Sequence, residues 1–227
     1  MIRRLAARGE SPLMKACEDV DPGSEGERDD GRDDEDDGLR PFVFFVLLEA
    51  GLAPTSLLIG WCFGYSPLNN FSWSGNAIVA GIAAALPMLI FLAVTLRWPI
   101  GPMARIRTFF DRELAPLLKE CRWSDYLLIS VAAGVGEEML FRGLIQGGLS
   151  LFFGPWAGAS AAAVLFGLMH PVSMTYVVVA TLLGAYLGVV WLVTGNLLSV
   201  MVAHGIYDFL ALLILMSYPS STAENEP

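Results

Sequence analysis

Charge is what this sequence has least of. Only 16% of its 227 residues are Asp, Glu, Lys or Arg, and 55% are hydrophobic; a soluble domain usually carries about a quarter charged residues. Histidine is scarcer still, with two in the whole chain. The three cysteines, Cys17, Cys62 and Cys121, are odd in number and scattered, which argues against a disulfide framework or a zinc ribbon. Met1 to Lys15 contains no apolar stretch long enough for a signal peptide. The first hydrophobic segment, from Phe42, is therefore expected to act as an uncleaved anchor.

The charge that is present is unevenly placed. Twelve acidic residues fall between Glu18 and Asp37, and without them the chain is close to neutral. The net charge of −9 therefore describes a tail, and no nucleic-acid partner follows from it. Residues 1–40 are rich in Asp, Glu, Gly and Arg, a composition expected of a disordered, solubilising segment. Residues 218–227 are expected to form a short disordered C-terminal tail.

Between the tails the chain is apolar in blocks of about 20 residues, the length a helix needs to cross ~30 Å of hydrocarbon. Six segments are predicted, near 42–63, 75–96, 124–147, 156–170, 174–193 and 196–216. The predicted fold is thus all-α: a polytopic transmembrane helical bundle over residues 41–217. The link 64–74 has no charge and looks like a turn with interfacial aromatics. The link 97–123 holds Arg97, Arg105, Arg107, Arg112, Lys119 and Arg122, with Met103, Ile106, Phe109, Phe110, Leu114 and Leu117 near helical spacing. That pattern predicts an amphipathic helix lying in the headgroup region. Its basic residues predict a cytoplasmic position, and six spans then put both termini in the cytoplasm. Gly154, Gly158 and Ala162, and then Gly184 and Gly188, recur at intervals of four, which suits close helix packing.

Between Tyr126 and Tyr218 the ionisable Asp, Glu, Lys, Arg and His residues are Glu137, Glu138, Arg142, His170, His204 and Asp208. An isolated charge at membrane depth costs several kcal/mol, so such groups face one another or a wet cavity. Convergence of all six on one site is the economical arrangement. Glu138 and Arg142, four apart, share a helix face and can pair. Glu137 sits about 100° round the helix and is free to face a cavity. His204 and Asp208, also four apart, can act as a His–carboxylate pair or as ligands. Phe166, one turn before His170, is placed to wall off one side of its imidazole. Glu49, alone in the first segment, fits an interfacial or helix-pairing role and is left outside the site.

Each motif also has a plain structural reading. His170 before Pro171 suits a helix cap, and His204 with Asp208 suits a polar pair between helices; it is the set that points to function. With neutral histidines, Glu137, Glu138 and Asp208 against Arg142 leave a net −2, which low dielectric does not tolerate. A divalent metal such as zinc, protonated carboxyls, charged histidines or a hydrated cavity would each relieve it.

Three stretches resemble the motifs of the CPBP intramembrane protease family, which includes type II CAAX prenyl endopeptidases and bacteriocin-immunity proteins. They are Gly136-Glu137-Glu138-Met139-Leu140-Phe141-Arg142-Gly143, Phe166-Gly167-Leu168-Met169-His170, and Gly195-Asn196-Leu197-Leu198 through His204 to Asp208. The resemblance spans roughly 100–216. It implies an intramembrane endopeptidase of a bacterial-type plasma membrane, acting on a membrane-bound peptide or protein, prenylated or otherwise lipidated. By that resemblance Glu137 is the general base that activates water, with His170 assisting. His204 and Asp208 bind a metal or help to stabilise the oxyanion, and Glu138 and Arg142 orient the site. Glu137, His170, His204 and Asp208 would be the ligands of a zinc or other divalent ion. Asp208 departs from the Asn of many CAAX-processing members, and an ionised Asp cannot donate a hydrogen bond. The alternative class is a non-catalytic membrane immunity or partner protein whose polar cluster only locks helices together. An ion carrier is a third reading, against which the sequence shows no inverted repeat or paired broken helices.

Overall fold

The structure, a computed structural model, describes residues 31–98 and 101–217. The acidic run of the tail up to residue 30, and the predicted C-terminal tail, lie outside the described residues. Among the described residues every regular element is helical. Helix α1 (Gly31–Cys62) takes in the last ten residues of the predicted tail before it enters the apolar block. Helix α2 (Gly75–Arg97) follows, opened by Ser74, whose hydroxyl accepts from the Ala77 N–H. Then come α3 (Pro102–Phe109), a π-helical turn over Phe110–Leu114, and α4 (Ala115–Leu118).

Helix α5 (Trp123–Glu138) continues without a break into a π-helical segment, Met139–Gln146, and then α6 (Gly147–Phe153). The rod from Trp123 to Phe153 is thus one helix with a wide π turn in its middle. A π turn is costly for the backbone and is found mostly at functional sites. Gly154, at φ +85°, turns the chain into α7 (Pro155–Leu168). Helix α8 (Met174–Thr194) is capped by Ser173 and closed by Gly195 in the left-handed region at φ +62°. Helix α9 (Leu197–Ser217) completes the bundle.

Four helical stretches are long and apolar enough to cross a bilayer: Pro41–Cys62, Gly75–Arg97, Met174–Thr194 and Leu197–Ser217. The other two predicted spans are present as helices of a different kind. The third runs six residues further than expected, to Phe153, and carries the π segment. The fourth is 14 residues long, about 21 Å at 1.5 Å per residue, too short to cross the hydrocarbon upright. Side chains such as Leu58, Val79, Ile90, Leu182 and Val193 point outward and exposed, as lipid-facing positions do. The protein is an all-α helical membrane bundle.

Lipid removes most of the hydrophobic drive for helices to associate, so close packing and polar contacts hold the bundle. Gly134 lies against α9, where an added Cβ would sit 2.8 Å from the Met201 carbonyl. Gly136 leaves no room for a Cβ against the carbonyl of Glu49 on α1. Gly158 and Ala162 are buried, and Gly184 and Gly188 face Phe166 and Gln146, so four of the five small residues pack as expected. Gly154 does not: it has open space around it and serves the turn. Met88, Met139, Leu187, Trp191, Leu197 and Val200 fill the centre between α2, the rod, α8 and α9. Asn196 pins the 64–74 link to the start of α9, donating to Ser72 O at 2.9 Å and accepting from Leu198 N at 3.0 Å.

The basic segment forms helix over Pro102–Leu118 and packs against α1 and α8, burying Phe110 and Leu118. Arg107 donates to Asp111 at 2.9 Å. Arg122 is tied to Asp125 by a backbone N–H bond of 2.7 Å, which starts the long rod.

Candidate active site

The rod presents Glu137, Glu138 and Arg142 on either side of the junction between its α and π segments. Arg142 Nη1 donates to Glu138 Oε1 at 2.8 Å, the pair expected from their spacing. Both side chains are almost wholly buried. Arg142 Nη2 donates to the Gly184 carbonyl at 2.9 Å, and one turn on Gln146 Nε2 donates to the Gly188 carbonyl at 3.1 Å. Glycines on α8 leave these carbonyls open to approach from the side. Phe166 covers the guanidinium, with its ring centre 4.8 Å from Cζ. Gln146 is fully buried; as an uncharged residue in an apolar block it gave no signal in a search for ionisable groups.

Glu138 Oε1 is also 2.7 Å from His204 Nδ1. A carboxylate between Arg142 and His204 therefore joins the rod to α9. On the far side of the same ring, His204 Nε2 lies 3.3 Å from Asp208 Oδ2 and 3.7 Å from Glu137 Oε2. With a carboxylate at each nitrogen, a doubly protonated ring donates to Glu138 and Asp208 at once.

His170 stands where α7 ends. Its Nδ1 is 2.8 Å from the Phe166 carbonyl. A carbonyl can only accept, so Nδ1 carries the hydrogen and Nε2 of the neutral ring is left as an acceptor. That Nε2 is 3.7 Å from Glu137 Oε1, beyond a direct hydrogen bond but suited to a shared water. Phe166 flanks His170 at 4.8 Å between ring centres, as its spacing predicted. Glu137 differs from Glu138 in one decisive way. It lines a cavity and makes no side-chain hydrogen bond, whereas Glu138, whose Oε2 is likewise without a partner, bonds through Oε1 to both Arg142 and His204.

The cavity has a volume of about 1130 Å3 and is walled chiefly by apolar side chains. Glu137, His170, His204 and Asp208 all line it, and it extends to Arg97, Arg107 and Glu113 at the basic segment. Pockets for small ligands usually hold about 300–1,000 Å3, so there is room for a peptide with an apolar group attached. All six site residues predicted from the sequence are thus brought together, four at the cavity and Glu138 with Arg142 behind them.

Glu49 joins them, contrary to its expected place outside the site. It lines the same cavity, its Oε2 is buried without a partner, and its nearest charged neighbours include Asp208, His204 and Glu137. The signal was present in its isolation within an apolar span; what could not be foreseen was the contact of its carbonyl with Gly136, which sets α1 beside Glu137. With Glu49 included, four carboxylates face one guanidinium, so neutral histidines would leave 1 − 4 = −3, one more than without it. Protons, an imidazolium or a cation must balance that charge. The donor types suit zinc, but among the described residues no three His, Cys, Asp or Glu side chains are gathered to hold a metal ion.

The family model for Rce1-like proteins, described as type II CAAX prenyl endopeptidase Rce1-like, matches residues 120–210. The matched stretch contains every site residue except Glu49. No curated protein and no solved structure matches the chain. Over that stretch, less than half of the chain, the protein is similar to the type II CAAX prenyl endopeptidases, and four of its helices are long and apolar enough to cross a membrane.

Proposed function

We propose, with that family match as the premise, that the protein is an endopeptidase in which Glu137 activates a water against a peptide bond held in the cavity. The observation that carries this reading is the state of Glu137. It is buried, makes no side-chain hydrogen bond and lines the cavity, with an acceptor nitrogen of His170 3.7 Å from its Oε1. A group whose only task was to lock helices would be bonded as Glu138 is.

A water between Glu137 and His170 Nε2 gives one hydrogen to each acceptor and turns a lone pair toward the substrate carbonyl. Glu137 takes the proton as the water oxygen bonds to the carbonyl carbon, and the carbonyl oxygen becomes an oxyanion. The C–N bond then breaks, and the leaving amine takes the proton back from the Glu137 carboxylic acid. The products are a carboxylic acid, which keeps the water's second hydrogen until it ionises to the amine or to solvent, and an amine, and Glu137 is restored. His204, held between Glu138 and Asp208, supplies positive charge near the developing oxyanion. Arg142 acts through Glu138 and does not touch substrate. Lipid-anchored substrates fit the cavity's apolar wall and its volume. The basic residues of 97–123 favour the cytoplasmic side for the cavity's outer end and for both termini.

The test is cleavage of a fluorogenic, farnesylated C-terminal peptide by the purified protein in liposomes. Wild type cleaves, and Glu137→Ala and His170→Ala do not while keeping their melting temperatures. Normal cleavage by both variants overturns the reading. Metal analysis of the same samples separates two routes. Active protein without stoichiometric metal supports the glutamate–water route, and metal lost in Glu137→Ala, His170→Ala and His204→Ala supports a metal-assisted one.

A further inference from the structure

Tetrahedral intermediates need hydrogen-bond donors aimed at the oxyanion, and the cavity holds few. His170 has committed its N–H to the Phe166 carbonyl. Glu137 is occupied with the water. Asp208, where many CAAX-processing members carry Asn, offers only acceptors when ionised, and it faces His204 Nε2 at 3.3 Å. If His204 gives its Nε2 hydrogen to Asp208, the reacting carbonyl lacks a neutral donor. Three residues with hydroxyls line the cavity, Thr95, Tyr176 and Tyr207, and Thr95 gives its hydrogen to the Leu92 carbonyl at 2.8 Å, which leaves the two tyrosines.

We infer that Tyr176 is a further catalytic residue whose hydroxyl donates a hydrogen bond to the oxyanion. This rests on the protease reading above and extends it. Its ring centre lies 6.0 Å from that of His170, the residue that would share the water with Glu137. The residue is placed rigidly: Ser173 Oγ accepts from the Tyr176 N–H at 3.1 Å and opens α8 just after the His170-Pro171 turn. Two other tyrosine hydroxyls are spent on structure, Tyr126 donating to Leu118 O and Tyr186 to Ala84 O. No such carbonyl takes the Tyr176 hydroxyl among the described residues. With Glu137, His170 and Asp208 it lines the cavity, so it stands among the groups that would handle the peptide bond. Tyr207 is set apart from it. It packs against the Met139–Leu187–Trp191 core, whereas the Tyr176 ring is in contact with that of His170.

The experiment compares Tyr176→Phe and Tyr207→Phe in the full-length protein in liposomes, using the farnesylated fluorogenic peptide. Removal of one oxyanion donor costs about 10²–10³ in kcat. Tyr176→Phe is therefore expected to lose about 100-fold in kcat with KM within about threefold of wild type, while Tyr207→Phe stays within about threefold in both. A peptidyl phosphinate, which imitates the tetrahedral state, should bind Tyr176→Phe about 100-fold more weakly, whereas an uncleavable peptide should bind it unchanged. A Tyr176→Phe enzyme with kcat within threefold of wild type, or with its loss confined to KM, overturns the role. If Glu137→Gln is inactive and Tyr176→Phe fully active, the tyrosine proposal alone has failed. If Glu137→Gln cleaves normally, the protease reading has failed instead.

Discussion

The polar cluster has a closed half and an open half. In the closed half Glu138, Arg142 and Gln146 are buried and bonded, to one another, to His204 and to the backbone carbonyls of Gly184 and Gly188. In the open half Glu137, His170, Asp208 and Tyr176 border the cavity, and Glu137 makes no side-chain hydrogen bond, whereas each closed-half side chain makes at least one. Two adjacent glutamates on one helix thus stand in opposite situations. The difference comes from the 100° between neighbouring helical residues and from Gly136, which brings α1 close on one side. Charge at membrane depth is tolerated in the closed half because it is paired. In the open half it is retained because, on the proposed mechanism, it does chemistry.

The comparison is broken most severely at Arg142. Arg142→Ala leaves Glu138 buried without its cation, a change that costs about 3–5 kcal/mol for a buried pair. Thermal melting in detergent should show that loss, with activity falling because the fold is lost. An unchanged melting temperature would mean that the closed half is not structural. Next is His170→Ala, expected to lower kcat about 100-fold with melting almost unchanged, because its bond to Phe166 O is made at a helix end. Steady-state cleavage beside a melting curve checks both parts.

Smaller effects sharpen the division. Gln146→Ala removes a bond to the Gly188 carbonyl and leaves a cavity beside α8, a cost of about 1–3 kcal/mol. It should show in melting and not in KM. Ser173→Ala, which removes the cap of α8, should cost about 1 kcal/mol. Because Tyr176 is positioned by that cap, a modest fall in kcat should accompany it, read from the same cleavage assay.

Much of this was legible in the sequence, for physical reasons. Apolar blocks of membrane length marked the helices, and the rarity of charge within them singled out six residues that the fold does gather. The i,i+4 spacing foretold the Glu138–Arg142 bond and the 3.3 Å approach of His204 to Asp208. Contacts between distant segments left no such trace. Glu138 and His204 are 66 residues apart, and nothing local announces their bond. The π segment Met139–Gln146 was hidden because apolar residues all round a helix mask a change in its turn. Gly154 has the same spacing as the packing glycines but adopts a positive φ and makes a turn. Glu49 is illegible as part of the site because a single charge on a span shows no local partner; its charged neighbours come from two other elements, α5 and α9.

The central claim is that Glu137 is held at the cavity without a direct hydrogen bond so that it can act in catalysis. Glu137→Gln tests it most directly, since the amide keeps the shape of the side chain and removes only its basicity. Cleavage of the farnesylated peptide and thermal melting should be measured on the same liposome-reconstituted sample beside wild type. The account predicts a fall in kcat of about 10³–10⁴ with a melting temperature equal to or above that of wild type. Cleavage at the wild-type rate, or loss of activity only in step with loss of the fold, would contradict it.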